Sequence, residues 1–223
     1  MPEDALPMTD RINRASPQAA NRRINRKTEA VQNAILDAAA GVFAKSGYHL
    51  TKLTDISEAL DMHVTALRYH FATKEVIAAE LANRVARRNL SELTAALDAL
   101  PPEASIREKL TTAVDAYIRT LIENRLDIAA HGNVINQLPA DLREDHYKLL
   151  QQFNAIWRGF LADAVKAGEL RGDLNPSIAT QVLLGAMTWT REWYRPEGAG
   201  AEEIARQMRM MLFDGLLQAP NKA

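Results

Sequence analysis

The stretch "TALRYHFATKE", from Thr65 to Glu75, gathers Thr65, Arg68, Tyr69, His70 and Lys74 into about three helical turns. A guanidinium, a phenol, an imidazole and an ammonium set this close suit phosphate oxygens: Arg and Lys neutralise their charge, and Tyr and His donate hydrogen bonds to them. Arg68 fits either a phosphate or the two-acceptor edge of guanine, and Thr65, near the helix start, is placed to meet base edges. Leu67 and Phe71 are one turn apart, the spacing of residues that face a core and hold such a helix down. Thr73 is an N-cap type, so Lys74 stands in the first turn of the next helix, where the dipole already favours an anion. Taken alone, "RYH" would equally serve as a solvated helix face, and its meaning depends on the elements around it.

Other chemistry finds little support. The 223 residues include no cysteine, which removes disulfides and thiol nucleophiles, and the five histidines are not spaced as metal ligands. With no HExxH, no G-x-S-x-G and no phosphate-binding glycine loop, neither an enzyme nor a bound cofactor is expected. No apolar run is long enough to cross a bilayer and no signal-like segment opens the sequence, so the expectation is a cytoplasmic protein without a membrane partner. A formal net charge of −1 conceals a local excess. From Arg11 to Lys27 there are six basic residues and no acid, so residues 1–27 read as a flexible basic arm, either a solvated tail or a segment touching DNA.

The elements that must carry these residues read as all-α, since Gly and Pro cut the chain into helix-length pieces and no stretch alternates with period two. Val31, Ile35, Leu36, Ala39, Val42 and Phe43 form an apolar stripe that starts near Thr28 and stops at Gly47. Thr51 and Thr54 are both N-cap types for a short second helix, and a third runs from about Thr65 to Phe71. Residues 28–80 therefore read as a three-helix, helix-turn-helix domain, whose connecting helix continues to about residue 100. Pro101 and Pro102 mark the boundary to a second helical domain, 101–223, with helices near 103–123, 126–135, 140–167, 176–194 and 201–218.

From about Thr28 to Glu80, "AILDAAAGVFAKSGYHLTKLTDISEAL" followed by "ALRYHFATKEVIAAEL" resembles the N-terminal domain of TetR-family transcriptional repressors. The resemblance implies phosphate contacts by Tyr69, His70 and Lys74, a place near the DNA backbone for Thr51, and an approach to bases or adjoining phosphates by His63, Val64, Thr65 and Arg68. It departs from the family at Asp61, where glycine is usual, at Thr65, where Gly or Ala is common, and at Arg68, which replaces a frequent Tyr. Asp61 must then accept a positive φ, which Asp tolerates at some cost.

In that family the rest of the chain binds a ligand and dimerises. Trp157, Trp189 and Trp193 fall at helical spacings that serve a core, an interface or a pocket, and Trp189 and Trp193 share one face. Polar candidates for a pocket are His131, Asn133, Asn136 and Gln137, together with Arg158, Arg191 and Arg195. Residues 126–217, including "WTREWYRP", resemble the branch that controls fatty-acid and steroid catabolism and responds to coenzyme A thioesters. The resemblance implies an acyl-coenzyme A effector, its acyl or ring part in an apolar cavity and its phosphates on arginines. It also implies a homodimer through the last two helices, where Val182, Ala186, Met187, Met208, Met211 and Leu212 supply apolar surface. The expected function is a repressor bound as a dimer to a pseudo-palindromic double-stranded operator and released by its small-molecule effector. A non-coenzyme-A apolar effector, or a DNA-bound structural protein with none, are the alternatives.

Overall fold

The computed structural model describes residues 17–216, and among these every regular element is helical. Helix α1 spans Pro17–Leu50 and is broken at Gly47, whose φ of 75° leaves the helical region, so the glycine ends the apolar stripe as expected. The helix begins eleven residues before Thr28. Residues 17–27, read as part of a flexible arm, are helical because Pro17 suits a first turn and the Gln, Ala, Arg and Lys that follow are good helix formers. The remainder of that arm, with Arg11 and Arg14, lies outside the described residues.

Three short elements follow. Helix α2 (Leu53–Glu58) is entered from Lys52, whose N–H donates to the Asp55 carboxylate at 2.7 Å. Neither expected threonine caps it: Thr51 is turned back to donate to the Gly47 carbonyl at 2.7 Å, and the Thr54 hydroxyl donates to Asp55. Asp61, at φ 50°, makes the turn into α3 (Val64–His70) and is the one non-glycine residue with positive φ among those described. Thr73 then caps α4 (Lys74–Asp98), accepting from the Val76 N–H.

The second domain comprises α5 (Ile106–Glu123), α6 (Arg125–Val134), α7 (Glu144–Lys166), α8 (Pro176–Thr188), α9 (Thr190–Trp193) and α10 (Ala201–Leu216). The stretch expected as one helix over 176–194 is divided at Trp189, and the one expected over 140–167 opens with a 3-10 turn at Asp141–Arg143.

Two cores result. Ile35, Phe43, Ile56, Leu67, Phe71 and Ile77 fill the first, and Leu110, Ile118, Phe153, Trp157, Leu161 and Met187 fill the second. Helices α4 and α6 serve both. On α6, Ile128 faces the second core while Ala130 and Val134 face the first, a split that helical periodicity allows within two turns. The joint is also polar: Arg84 of α4 spans Asp37 of α1 and Asp127 of α6 at 2.7 Å each, and Arg88 meets Asp127 at 2.8 Å. Asp127 is buried between two guanidiniums, an arrangement that rewards one relative position of the three helices.

Candidate nucleic-acid interface and effector cavity

Helix α3 is anchored by Leu67, which is fully buried, and by Phe71 just beyond its end. The opposite face is open. Thr65, Ala66, Arg68 and Tyr69 are exposed, Tyr69 by 85%, and His63 stands exposed at the entry with Val64 half-buried beside it. His70, half-buried, packs edge-on against the Tyr69 ring at 5.2 Å. From His63 to His70, eight residues present a guanidinium, a phenol and two imidazoles, the arrangement needed to meet phosphates and base edges in a major groove.

Two residues of the expected DNA set have a different part. Thr51 is buried, and its hydroxyl proton is committed to Gly47, so the side chain supports the loop and does not reach outward. Lys74 is half-buried and donates to the carbonyls of Tyr48 at 2.9 Å and Thr51 at 2.8 Å, its ammonium 4.4 Å from the centre of the Tyr48 ring. An ammonium has three donors, so one is left over for a phosphate after the two that tie α4 to the α1–α2 loop. The Tyr48 hydroxyl donates to Glu75 at 3.1 Å; burial and that carboxylate push its pKa up to about 12. Glu75 is held below the usual carboxylate range by the backbone N–H at the helix start, with the Thr73 and Tyr48 hydroxyls adding to it. Tyr48 was the residue that sequence reasoning passed over, although "GY" followed by "TKE" twenty-five residues later carries both halves of the staple.

The residues expected around an effector do not converge. Asn133 donates to the Phe43 carbonyl at 3.2 Å and Gln137 pairs with His49 at 2.9 Å, so both sit on α1 and join the domains. Trp157 is fully buried in the second core, and Arg158 is exposed on α7. Trp189 and Trp193 are 62% and 46% exposed, on the outer face that also carries Ile178 and Val182. They point outward because Met187 and Thr190 take the inward positions of the same turns.

A cavity of about 140 Å³ lies elsewhere in the same domain, between α4, α5, α6, α7 and the α8–α9 junction. Leu121, Ile128, Leu149 and Phe153 make its apolar wall, and Asn89, Tyr117, His131, His146, Thr188 and Arg191 its polar one. Tyr117 and Thr188 hydrogen-bond across it at 3.2 Å, and the Nε2 atoms of His131 and His146 meet at 3.4 Å. Burial, the neighbouring His146 and Arg191 together lower the His131 pKa to about 4; burial lowers His146 too, and burial raises Tyr117. A second space of about 240 Å³ shares Leu121 and Arg191 with the first and adds Arg125, Arg195 and Tyr194. Neither lining includes a carboxylate. Arg191 can lie in this shared wall because position 132 is glycine: a Cβ there would come within 2.8 Å of its Nη1. Of the sequence candidates, His131, Arg191 and Arg195 belong to these spaces.

On the outer face, Ile178, Val182, Ala186, Met208 and Met211 line an open apolar groove of about 630 Å³ between α8 and α10. Leu212, largely buried, also lines this groove, whereas Met187, expected on the same surface, is buried inside the domain instead. No helix among the described residues is long and apolar enough to cross a membrane.

Comparison with known proteins places these features in context. Residues 103–216 match the family model for tetracyclin repressor-like C-terminal domains, and residues 35–81 match that of bacterial regulatory proteins of the tetR family. The chain is 27% identical over 194 residues to the HTH-type transcriptional repressor KstR2 of Rhodococcus jostii, covering 84% of this chain and 91% of that one. It is 23% identical over 163 residues to the fatty acid metabolism regulator protein of Bacillus subtilis, covering 70% and 79%. Among solved structures, the TetR-family regulator PfmR of Thermus thermophilus superposes with a TM-score of 0.74 at 28% identity, over 82% of this chain and 99% of that one. The ketosteroid regulator KstR2 of Mycobacterium tuberculosis shares the fold, with a TM-score of 0.76 at 20% identity over 84% and 95%.

Proposed function

The chain belongs to the TetR family of bacterial transcriptional regulators, and from that premise we propose that it is a repressor released from its operator by an acyl-coenzyme A thioester. One observation carries the ligand-responsive part: α6 lines the inner cavity with Ile128 and His131 and, on its other face, packs Ala130 and Val134 into the DNA-binding core. A ligand that prefers a different position of α6 shifts the equilibrium away from the DNA-competent arrangement, by no more than its difference in affinity for the two.

The effector class is supported by the two adjoining spaces, which share Leu121 and Arg191. The inner one has the apolar wall that an acyl or ring group needs, and the outer one has Arg125, Arg191 and Arg195, of which Arg191 is paired through its Nε with Glu192 at 2.7 Å, a setting for phosphates. Catabolic regulators among the relatives, one named for fatty acid metabolism, point in the same direction. The exposed stripe of Ile178 and Val182 on α8 and Trp189 just past its end, with Met211 on α10, fits a two-fold helical interface, and a dimer would set two α3 helices about one DNA turn apart.

The test is fluorescence anisotropy with the DNA upstream of the protein's own coding sequence and with a scrambled duplex, with and without a panel of acyl-coenzyme A thioesters. Selective binding to the upstream duplex, reversed by one thioester, is expected. Equal binding to both duplexes contradicts the operator assignment, and selective binding that no thioester reverses contradicts the effector class.

A further inference from the structure

The inner cavity has a polar end that a plain hydrocarbon would not use. Its volume, about 140 Å³, is close to the roughly 150 Å³ that holds a benzene ring, so it accommodates one ring or a short acyl group. At its polar end one imidazole of the His131–His146 pair donates its Nε2–H to the Nε2 of the other across 3.4 Å, which leaves the pair one Nδ1–H donor, on the imidazole that accepts, and one bare Nδ1 on the other. Asn89, on the α4 wall, has a buried Oδ1 with no hydrogen-bond partner. An unsatisfied buried acceptor costs about 1–3 kcal/mol, and only a donor relieves it.

Ligand groups can be sorted against this set. A carbonyl accepts from an imidazole N–H but offers nothing to Asn89. A carboxylate also only accepts, and it would enter a site whose two histidines are neutral, His131 being held near 4 by burial first, with His146 and Arg191 beside it. Arg191 is the one cation in the lining, and it belongs to the wall shared with the outer space. A hydroxyl donates and accepts at once and satisfies both ends.

We propose that the inner cavity reads a hydroxyl group on the effector's ring or short acyl portion, the hydroxyl donating to Asn89 Oδ1 and accepting from the His131–His146 pair. This rests on the inner cavity being the effector site, and it adds that the effector is a hydroxylated compound. Hydrogen-bonding sites discriminate strongly against an analogue that lacks the matching group, because the site's own polar atoms are then left unpaired.

The experiment uses two matched pairs of probes on the full-length protein, titrated by calorimetry: 3-hydroxybutanoyl-coenzyme A against butanoyl-coenzyme A, and phenol against toluene. A preference of about tenfold or more for the hydroxylated member is expected in each pair. It should fall to about one in His131→Phe and in Asn89→Leu, two variants on different helices whose fold is checked by circular dichroism. Equal affinities within the phenol pair, no binding of either, or variants that keep the preference overturn the inference. A phenol preference that both variants lose, with neither thioester bound, upholds the inference and removes the thioester reading on which the effector class was based.

Discussion

The face of α3 and the inner cavity use the same side-chain types in opposite surroundings. On α3 a Tyr, an Arg and two His stand on exposed or half-buried positions, with Arg68 and Tyr69 unburied and ready for an incoming phosphate. Around the cavity a Tyr, an Arg and two His each have a partner: Tyr117 bonds Thr188, His131 bonds His146, and Arg191, more exposed than the others, pairs with Glu192. Water keeps the first group available, and burial shifts the pKa values of Tyr117, His131 and His146 in the second. The difference teaches that residue type alone does not assign a role. A histidine in "LRYH" and one in "AAHGN" are chemically identical, and only the packing of the helices around them decides which one is enclosed with a second imidazole.

This contrast can be broken at several points. The largest effect is expected at Trp157. If it is core, as its complete burial against Tyr117 and Phe153 requires, Trp157→Ala costs about 3–5 kcal/mol in chemical denaturation and lowers DNA and effector binding together. Loss of effector affinity at unchanged stability would return it to the pocket.

Next is the pH dependence of the buried pair. In the unfolded chain His131 takes up a proton near pH 6.5, but in the folded chain only near pH 4, so the unfolded state binds more protons between these values. Stability therefore falls as pH drops from about 6.5 to about 4, by about 2–3 kcal/mol in total. Urea midpoints measured over that range should decline more steeply in the wild type than in His131→Phe; parallel curves would show that the cavity holds no buried neutral histidine.

The smallest effect sharpens the DNA side. Lys74→Ala removes two hydrogen bonds to the α1–α2 loop, a loss of about 1–3 kcal/mol in stability. If the third donor of its ammonium meets a phosphate, the slope of log affinity against log salt also falls by about one. A stability loss with an unchanged slope would make Lys74 purely a positioning residue.

The DNA-binding unit was legible because it is local. Gly47 and Thr73 each act on neighbours within a few residues, the spacing of Leu67 and Phe71 by itself marks the buried face of α3, and Asp61 takes the positive φ that its place in the motif demanded. Thr51 was misread as outward-facing because nothing in the sequence says that its hydroxyl would find the Gly47 carbonyl. The cavity was barely legible for the complementary reason. Asn89, Tyr117, His131, His146 and Arg191 come from five helices spread over a hundred residues, one from each, with no spacing rule between them. Trp189 and Trp193 drew attention by size and spacing, yet helical phase turned them outward. Arg191 was among the candidates, but the glycine at 132 that admits its guanidinium is meaningful only once α6 and α9 are placed side by side.

The central claim is that the cavity and α3 are coupled, with α6 between them, and coupling must be reciprocal. The most direct measurement is the affinity of the releasing effector for the protein alone and for the protein saturated with its operator duplex. The account predicts weaker effector binding on DNA, by the same factor, about 5- to 150-fold, by which the effector weakens DNA binding. Identical effector affinities with and without operator would contradict it.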